Sequence, residues 1–247
     1  PNVGKSAIFS RLTGAKVTIS NYPGTTVGFS EGIMKLNSED NGVLIDVPGI
    51  YNLHPVCKAD EVSLDMLDHG DIIVNVLDST NLERNLYLAI QFLEMGIPMC
   101  IALNMIDVAE KRGIKINSDK LSMLLGVPVV PTIASTGEGK DNLIDAAVKV
   151  VQGKRKQSNL KISYGDDLDR ALLEMEEEIR ANEFLTDTYQ KRWIALKYLE
   201  DDKQILSKGR KNNPSLSAKL EKTVKKVSQH LERTLNTYPE AMIADQR

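Results

Sequence analysis

The chain has 247 residues, a length that suits one large domain or two modest ones. Its apolar content of 42% is that of a globular protein, and its net charge of −3 disfavours nucleic acid as a partner, because domains that hold nucleic acid are usually strongly basic. Three histidines and two cysteines are too few for a disulfide framework or a zinc ribbon. No apolar run reaches the roughly 20 residues of a membrane helix, so we expect this piece of chain to be soluble.

The first residues match the end of a phosphate-binding motif. Gly4, Lys5 and Ser6 fit the last three fixed positions of G-x-x-x-x-G-K-[ST], whose first glycine would precede Pro1. In this motif backbone N–H groups surround the phosphates, the lysine bridges the β- and γ-phosphates, and the serine hydroxyl binds Mg²⁺. We also expect the strand that normally feeds this loop to precede Pro1. The predicted phosphate-binding residues are Asn2, Val3, Gly4, Lys5, Ser6 and Ala7.

Strand and helix patterns alternate along the first 150 residues. A helical pattern follows Ser6 and ends near Gly14. The patterns then predict strands at 31–36, 42–47, 71–78, 98–107 and 127–134, and helices at 82–95, 118–125 and 142–151. This alternation predicts an α/β fold with a parallel sheet covered by helices on both faces.

The composition changes after the last of these helices. Residues 153–164 are polar and weakly patterned, which predicts a linker. Beyond them no strand-like run occurs, and three apolar stripes with helical spacing begin at Leu168, Tyr189 and Leu216. We therefore expect a first domain over 1–152 and a small all-α domain over 165–240.

Two further segments predict a guanine site. Asn104-Met105-Ile106-Asp107 follows a predicted strand, and the Asp107 carboxylate can accept hydrogen bonds from guanine N1–H and N2–H₂, a donor pair that adenine lacks. We expect Asn104 to tie this loop to the phosphate loop, and the stem of Met105 to cover the base. The second segment follows the last strand, and we expect its backbone to contact guanine O6; its residues are Ala134, Ser135 and Thr136.

A D-x-x-G element ends the strand at 42–47. We expect Asp46 to hold Mg²⁺ through water and the Gly49 N–H to contact the γ-phosphate. A strand-ending turn is the alternative, because Pro48-Gly49 alone explains a turn. The predicted nucleotide contacts of this element are Asp46, Val47, Pro48 and Gly49.

A threonine loop lies between the phosphate loop and this element. We expect Thr26 to complete the Mg²⁺ shell, so the predicted metal ligands are Ser6, Thr26 and Asp46. The residues that we expect to act in catalysis are Lys5, Thr26 and Gly49. The nucleotide contacts expected from this loop are Gly24, Thr25, Thr26 and Val27.

Taken together, these motifs resemble a GTPase domain of the translation-factor-related class. The segments 21–27 (NYPGTTV), 46–53 (DVPGIYNL) and 81–88 (NLERNLYL) are similar to the cytoplasmic N-terminal part of the FeoB family of bacterial and archaeal ferrous iron transporters. The likeness covers about residues 1–150, whereas 165–237 match the family's helical domain only by position and helicity. It implies a Ras-like P-loop GTPase fold followed by a helical module of the GDP-dissociation-inhibitor type.

The resemblance also implies a function. It implies hydrolysis of GTP to GDP, coupled to Fe²⁺ uptake by a membrane part of the same full-length chain, at the cytoplasmic face of the inner membrane. Small accessory proteins and a homo-oligomer are the other partners that it implies. Asn2 matches the family's phosphate-loop asparagine, which is implicated in coordinating K⁺, although a turn residue is the alternative. Ile50 stands where Ras-like proteins have a water-orienting glutamine, so we expect slow turnover.

Two other functions remain open from the residues. A soluble GTPase switch in ribosome assembly or tRNA modification would use the same motifs, but its appendage should be basic, and this one is not. The other open function is that of a binding module. Its helices would hold the loops in their GDP-state conformation, and the domain would act mainly as an affinity switch.

Overall fold

A computed structural model of the chain describes residues 3–14, 17–23, 25–37, 40–50, 53, 57–67, 70–153 and 160–247. The chain forms two compact units, of which the first comprises Pro1–Leu93 with Ile97–Leu160 and the second Glu94–Gly96 with Lys161–Arg247. The structure thus groups residues 94–96 with the helical unit, although the sequence pattern places them in the first domain.

The first unit mixes helices and strands. In chain order its elements are α1 (Lys5–Thr13), β1 (Val17–Asn21), β2 (Gly28–Lys35), β3 (Asn41–Asp46), α2 (Lys58–Leu67), β4 (Ile73–Asp78), α3 (Leu82–Met95, whose last two residues belong to the second unit), β5 (Met99–Asn104), α4 (Ile106–Lys111), α5 (Ser118–Leu125), β6 (Val129–Thr132) and α6 (Lys140–Val151).

Two three-stranded sheets form from these strands. β1, β2 and β3 pair antiparallel in that order, and β4, β5 and β6 pair parallel in that order. Within the described ranges no strand joins β3 to β4. In the parallel sheet Asp78 lies opposite Asn104, and Asn104 lies opposite Thr132. The loops that follow the three strands therefore leave the sheet side by side, at the carboxyl edge where ligands bind in α/β folds.

Apolar side chains of α1, β2, α6 and the parallel sheet form one core of this unit. β5 supplies its fully buried centre, because all six of its residues are buried. The buried members of this core are Ile8, Leu12, Met34, Cys100, Ala102, Val130, Ala134, Leu143, Ile144 and Ala147. The α/β fold class predicted from the alternation is confirmed.

Apart from shifts of one to three residues in element bounds, the structure differs from the predicted elements at the end of β5, at β1 and at α2. The strand predicted over 98–107 ends at Asn104, because Met105 adopts a left-handed conformation with φ 62° and starts α4. The continuous apolar run hid this break. The sequence pattern predicts neither β1 nor α2, because neither has a clear apolar period. β1 is largely exposed, and only Val62 and Ser63 of α2 are buried.

In the described part of the second unit, helices are connected by turns and loops. Its elements are α7 (Asp166–Ala181), α8 (Lys191–Leu199), α9 (Lys203–Asn212), α10 (Pro214–Leu235) and α11 (Pro239–Gln246). Asn213 caps α10, since its side chain accepts a hydrogen bond from the Leu216 N–H and Pro214 occupies the first turn. Within the described ranges, no helix has both the length and the apolar character needed to cross a membrane.

Charged side chains are buried inside this helical unit. Lys197 Nζ lies 2.9 Å from Glu200 Oε2, and Arg247 Nη2 lies 2.8 Å from Glu94 Oε2. Arg247 also pairs with Glu200, and the Tyr164 hydroxyl donates to Glu94. The Arg247 and Lys197 side chains are only 1% and 2% exposed. Each carboxylate is therefore neutralised by a cation that has itself left water.

The two carboxylates of this group titrate differently. Burial raises the pKa of Glu94 above its usual 4.5, although Arg247 and Tyr164 act against the shift. Burial also acts to raise the pKa of Glu200, but the charges of Lys197 and Arg247 outweigh it and lower that pKa. The stabilisation from Glu94 is complete below its usual pKa and is lost as pH rises through its raised pKa. That from Glu200 is present above its usual pKa and is lost as pH falls through its lowered pKa.

Replacing Arg247 by methionine should leave two buried carboxylates short of a cation. We expect Arg247→Met to lower the free energy of unfolding of the helical unit by about 3–5 kcal/mol, the usual cost of removing one partner from a buried pair. Urea titration followed by the fluorescence of Trp193, the single tryptophan of the chain, measures it. The matched control is Lys203→Met, since Lys203 pairs with Asp201 at the surface. Equal midpoints for the two variants would contradict the expectation.

Candidate functional site

The phosphate-binding turn lies at the start of α1. Gly4 precedes the helix with φ 85°, a left-handed conformation that favours glycine. A Cβ at Gly4 would also lie only 2.2 Å from Asn104 Nδ2. The position therefore requires glycine for its backbone conformation and for its close approach to Asn104. Lys5 and Ser6 open the helix, so the N–H groups of its first turn are available to an anion.

Asn104 connects the loops of the site. Its side chain is buried, its Nδ2 donates to the Val3 carbonyl at 2.9 Å, and its Oδ1 accepts from the Ala134 N–H at 3.0 Å. Its own carbonyl accepts a 2.6 Å hydrogen bond from Ser79 Oγ. The tie to the phosphate loop that the sequence predicts is present, and the same side chain also fixes the loop at Ala134.

Lys5, Ser6 and Asp46 meet at the other side of the phosphate turn. Lys5 Nζ forms an ion pair with Asp46 Oδ1, and Ser6 Oγ donates to Asp46 Oδ2 at 3.0 Å. The Asp46 carboxylate is 12% exposed. A hydroxyl and a carboxylate at this separation are hard oxygen donors of the kind that Mg²⁺ prefers, so this part of the predicted metal site has suitable chemistry.

The threonine loop uses its two hydroxyls differently. Thr25 Oγ1 donates to the Tyr22 carbonyl at 3.0 Å and accepts from the Val27 N–H at 3.2 Å, which commits it to the turn. Thr26 is exposed, and among the described residues its side chain makes no hydrogen bond. Of the two hydroxyls, that of Thr26 is therefore the one available to a ligand. Gly24 and Asn2, two other predicted contacts, lie outside the described residues.

The predicted guanine contacts lie after β5. Met105 accepts backbone hydrogen bonds from Val108 and Ala109, which close the first turn of α4. Asp107 lies in this turn with its side chain 33% exposed, and Lys111 Nζ is 3.7 Å from Asp107 Oδ2. The carboxylate is therefore accessible to a ligand from the solvent side.

Arg11 holds the loop after β6, and no sequence motif pointed to it. Its Nε donates to the Ala134 carbonyl at 3.0 Å, and its Nη2 donates to the Ser135 carbonyl. Thr136 closes the turn through its N–H, which bonds the Ile133 carbonyl at 3.2 Å. Sequence reasoning could not find Arg11, because its partners are backbone groups more than 120 residues away.

A cavity of about 600 Å³ lies beside the phosphate turn. Its walls are Val3–Ala7 of the turn, the segment 47–50 after β3, the whole of β4, and one face of α3. Asn81, the residue just before α3, also lines the cavity. The α3 residues that line it are Arg84, Asn85, Leu88 and Phe92. Half of the segment 81–88 that carries the family resemblance thus lines the cavity beside the predicted phosphate contacts.

Two family models match the chain. The model described as ferrous iron transport protein B matches residues 1–147, and the model described as the FeoB cytosolic helical domain matches residues 164–247. Together they cover both structural units.

Curated relatives match over the whole chain. The Fe(2+) transporter FeoB of Staphylococcus aureus is 38% identical over 253 residues, which cover 99% of this chain and 37% of that protein. A Porphyromonas gingivalis fusion of Fe(2+) transport protein A with the transporter FeoB is 36% identical over 254 residues, covering 100% of this chain and 30% of that protein. The chain thus spans about a third of the length of the curated relatives that it matches.

Solved structures also superpose on nearly the whole chain. A GDP-bound point mutant of S. thermophilus NFeoB superposes with a TM-score of 0.82 at 34% identity, covering 100% of this chain and 92% of that one. The cytosolic domain of the T. maritima FeoB iron transporter in its GMPPNP form superposes with a TM-score of 0.78 at 32% identity, covering 93% of this chain and 95% of that one.

Replacing Asn104 by alanine should loosen both loops that it joins. We expect Asn104→Ala to lower the free energy of unfolding of the first unit by about 2–4 kcal/mol, because the Val3 carbonyl and the Ala134 N–H lose their partner. The Ala134 amide hydrogen should also exchange faster with solvent, which hydrogen-exchange mass spectrometry measures. Asn142→Ala, at an exposed asparagine of α6, is the control. Wild-type exchange at Ala134 in the Asn104 variant would contradict the role of this bond.

Proposed function

Because the chain belongs to the ferrous iron transport protein B (FeoB) family, we propose that it binds GTP with Mg²⁺ and hydrolyses it to GDP and phosphate to regulate Fe²⁺ uptake. The fold is that of a GTP-binding P-loop GTPase. The observation that carries the proposal is the pair of hydrogen bonds at the Asn104 side chain, which donates to the Val3 carbonyl and accepts from the Ala134 N–H. These bonds hold the phosphate turn and the guanine loops at one edge of the sheet.

The proposed reaction is an in-line attack of water on the γ-phosphorus, in which the bond to the β,γ-bridging oxygen breaks and GDP leaves. The chain contributes positioning and charge. Lys5 Nζ, now paired with Asp46, would turn to the β- and γ-phosphate oxygens, and the Gly49 N–H would donate to the γ-phosphate. Ile50 carries no group that can orient the water, which supports slow intrinsic turnover.

Mg²⁺ belongs to the proposal on the chemistry of its donors. Ser6, Asp46 and Thr26 are the residues that would hold it, and the first two already share a 3.0 Å hydrogen bond. When bound, the ion would neutralise negative charge on the phosphate oxygens. Asn2 remains the proposed K⁺ ligand, on the family resemblance alone.

The wider role also belongs to the proposal. The matched relatives are named Fe(2+) transporters, and the chain covers only 30–37% of the two described above. Fe²⁺ transport, the membrane part that would share the chain, accessory proteins and an oligomer are therefore proposed for the whole protein. We infer that GTP hydrolysis in this chain regulates that transport.

The experiment that tests the proposal is a phosphate-release assay in matched potassium and sodium salts. We expect GTP to be hydrolysed and ATP not, and the GTP rate to be higher in K⁺ than in Na⁺. Asn2→Ala should remove the K⁺ advantage. A lack of GTP hydrolysis in either salt would contradict the enzymatic proposal. Equal rates in the two salts with Asn2→Ala unchanged would contradict the role of K⁺ alone.

A substitution at Asp107 should change the base that is recognised. An asparagine there offers an N–H to the base where the carboxylate accepted hydrogen bonds, so it suits xanthine, which has a carbonyl at position 2. We expect Asp107→Asn to lower GDP affinity by about 100-fold or more and to favour XDP, because polar groups left unpaired discriminate strongly. Titration with fluorescent GDP and XDP measures both affinities.

Asp119→Asn is the matched control, since Asp119 is an exposed carboxylate in the first turn of α5. Its affinities should equal those of the wild type. Unchanged GDP affinity in the Asp107 variant would place the base elsewhere.

A further inference from the structure

Two buried side chains outside every predicted motif hold the chain after β3. Ser63 of α2 is fully buried, and its Oγ lies 3.0 Å from the Pro48 carbonyl and 2.9 Å from the Ala59 carbonyl. Gln91 of α3 is 1% exposed, and its Oε1 accepts the Leu53 N–H at 3.0 Å. The backbone is thus held at Pro48 and at Leu53 by side chains of α2 and α3.

The contact at Pro48 bears directly on Gly49. The Pro48 carbonyl and the Gly49 N–H belong to one planar peptide unit and point in opposite directions across it. A hydroxyl that binds the carbonyl therefore also sets the direction of the N–H. Pro48 and Gly49 line the cavity beside Lys5 and Ser6.

The contact of Gln91 with Leu53 is buried, and that of Ser63 with Pro48 is partly buried. Rotation of the peptide at Pro48–Gly49 would break the bond between Ser63 Oγ and the Pro48 carbonyl, which costs free energy. Leu53 is itself buried, and the Gln91 amide nitrogen has no hydrogen-bond partner among the described residues. Gln91 thus accepts the Leu53 N–H and keeps an N–H free to bond a carbonyl.

We propose that Ser63 and Gln91 are positioning residues for GTP hydrolysis, which fix the backbone at Pro48 and at Leu53 so that the Gly49 N–H faces the γ-phosphate. The inference rests on the proposed GTPase function and adds two residues to it. Neither side chain touches the nucleotide. Ser63 acts through the peptide at Pro48, and Gln91 acts through the backbone of Leu53.

The proposal predicts different effects on the binding of GTP and of GDP. GDP has no γ-phosphate, so the direction of the Gly49 N–H does not matter to its binding. A loss of orientation should therefore lower kcat and the affinity for a non-hydrolysable GTP analogue, and leave GDP affinity unchanged. A merely structural role would weaken both nucleotides equally.

The variants are Ser63→Ala, which removes the hydroxyl, and Gln91→Met, which keeps the length of the side chain without the acceptor. We expect each to lower kcat about tenfold, less than the 10²–10³-fold cost of deleting an oxyanion donor, because the Gly49 N–H remains. The ratio of GTP-analogue affinity to GDP affinity should fall with kcat.

The matched control is Ser122→Ala, which removes a comparable bond from a serine hydroxyl to a backbone carbonyl, at 2.7 Å from Ser122 Oγ to Val127. It should lose a similar amount of thermal stability and keep the wild-type kcat and affinity ratio. Because Ser63 and Gln91 act on one segment, their effects on analogue affinity should be less than additive in the double variant.

Equal losses of GDP and analogue affinity in Ser63→Ala and Gln91→Met would overturn the proposal, as would a wild-type kcat in both. If Ser63→Ala fails to fold, Gln91→Met carries the same test. A wild-type protein without turnover would contradict the GTPase function, and the affinity ratio would still decide the positioning role.

Discussion

A buried amide needs a partner for each of its polar atoms, and this requirement at Asn104 organises the first unit. Its nitrogen and oxygen reach the Val3 carbonyl and the Ala134 N–H, and its backbone carbonyl receives the hydroxyl of Ser79. The strands β4, β5 and β6 run parallel, so the three loops leave one edge of the sheet together. The sheet brings the loops near one another, and Asn104 sets the distances between them.

The helical unit contains charged side chains in its interior. Its core is apolar over most of its volume, yet Lys197, Glu200, Arg247 and Glu94 are buried within it. A well-packed apolar cluster of similar volume is often as stable or more so, because ion pairs regain only part of their lost hydration. The bonds of Arg247 to two carboxylates are directional, and they join the residue that follows α11 to Glu94 and Glu200.

The helices whose first and last residues were predicted accurately have capping residues or an apolar face that the sequence itself shows. The helix over 118–125 is confirmed to the residue: Asn117 caps it, and Gly126 ends it with φ 71°. The helix over 82–95 is confirmed too, with an apolar face that is continuous along its length. α4 was missed because its start depends on the left-handed Met105, a conformation that an apolar run does not signal.

Much of the site follows from motif order, since residues at the ends of parallel strands must meet at one edge. The approach of Lys5 and Ser6 to Asp46 and the tie from Asn104 are of this kind. Arg11, Ser63, Ser79 and Gln91 are different, because each bonds a backbone group distant in sequence. Backbone atoms are the same in every residue, so no pattern of side chains can reveal such a partner.

The ion pair between Lys5 and Asp46 couples two binding events. A phosphate that draws the ammonium away leaves the carboxylate with a full negative charge, which favours a divalent cation. A cation that takes the carboxylate frees the ammonium for phosphate. In the proposed function each ligand would therefore strengthen the binding of the other by the same factor, as thermodynamic linkage requires. Metal and nucleotide would then bind as one complex, with the protein's own ion pair as the competitor of both.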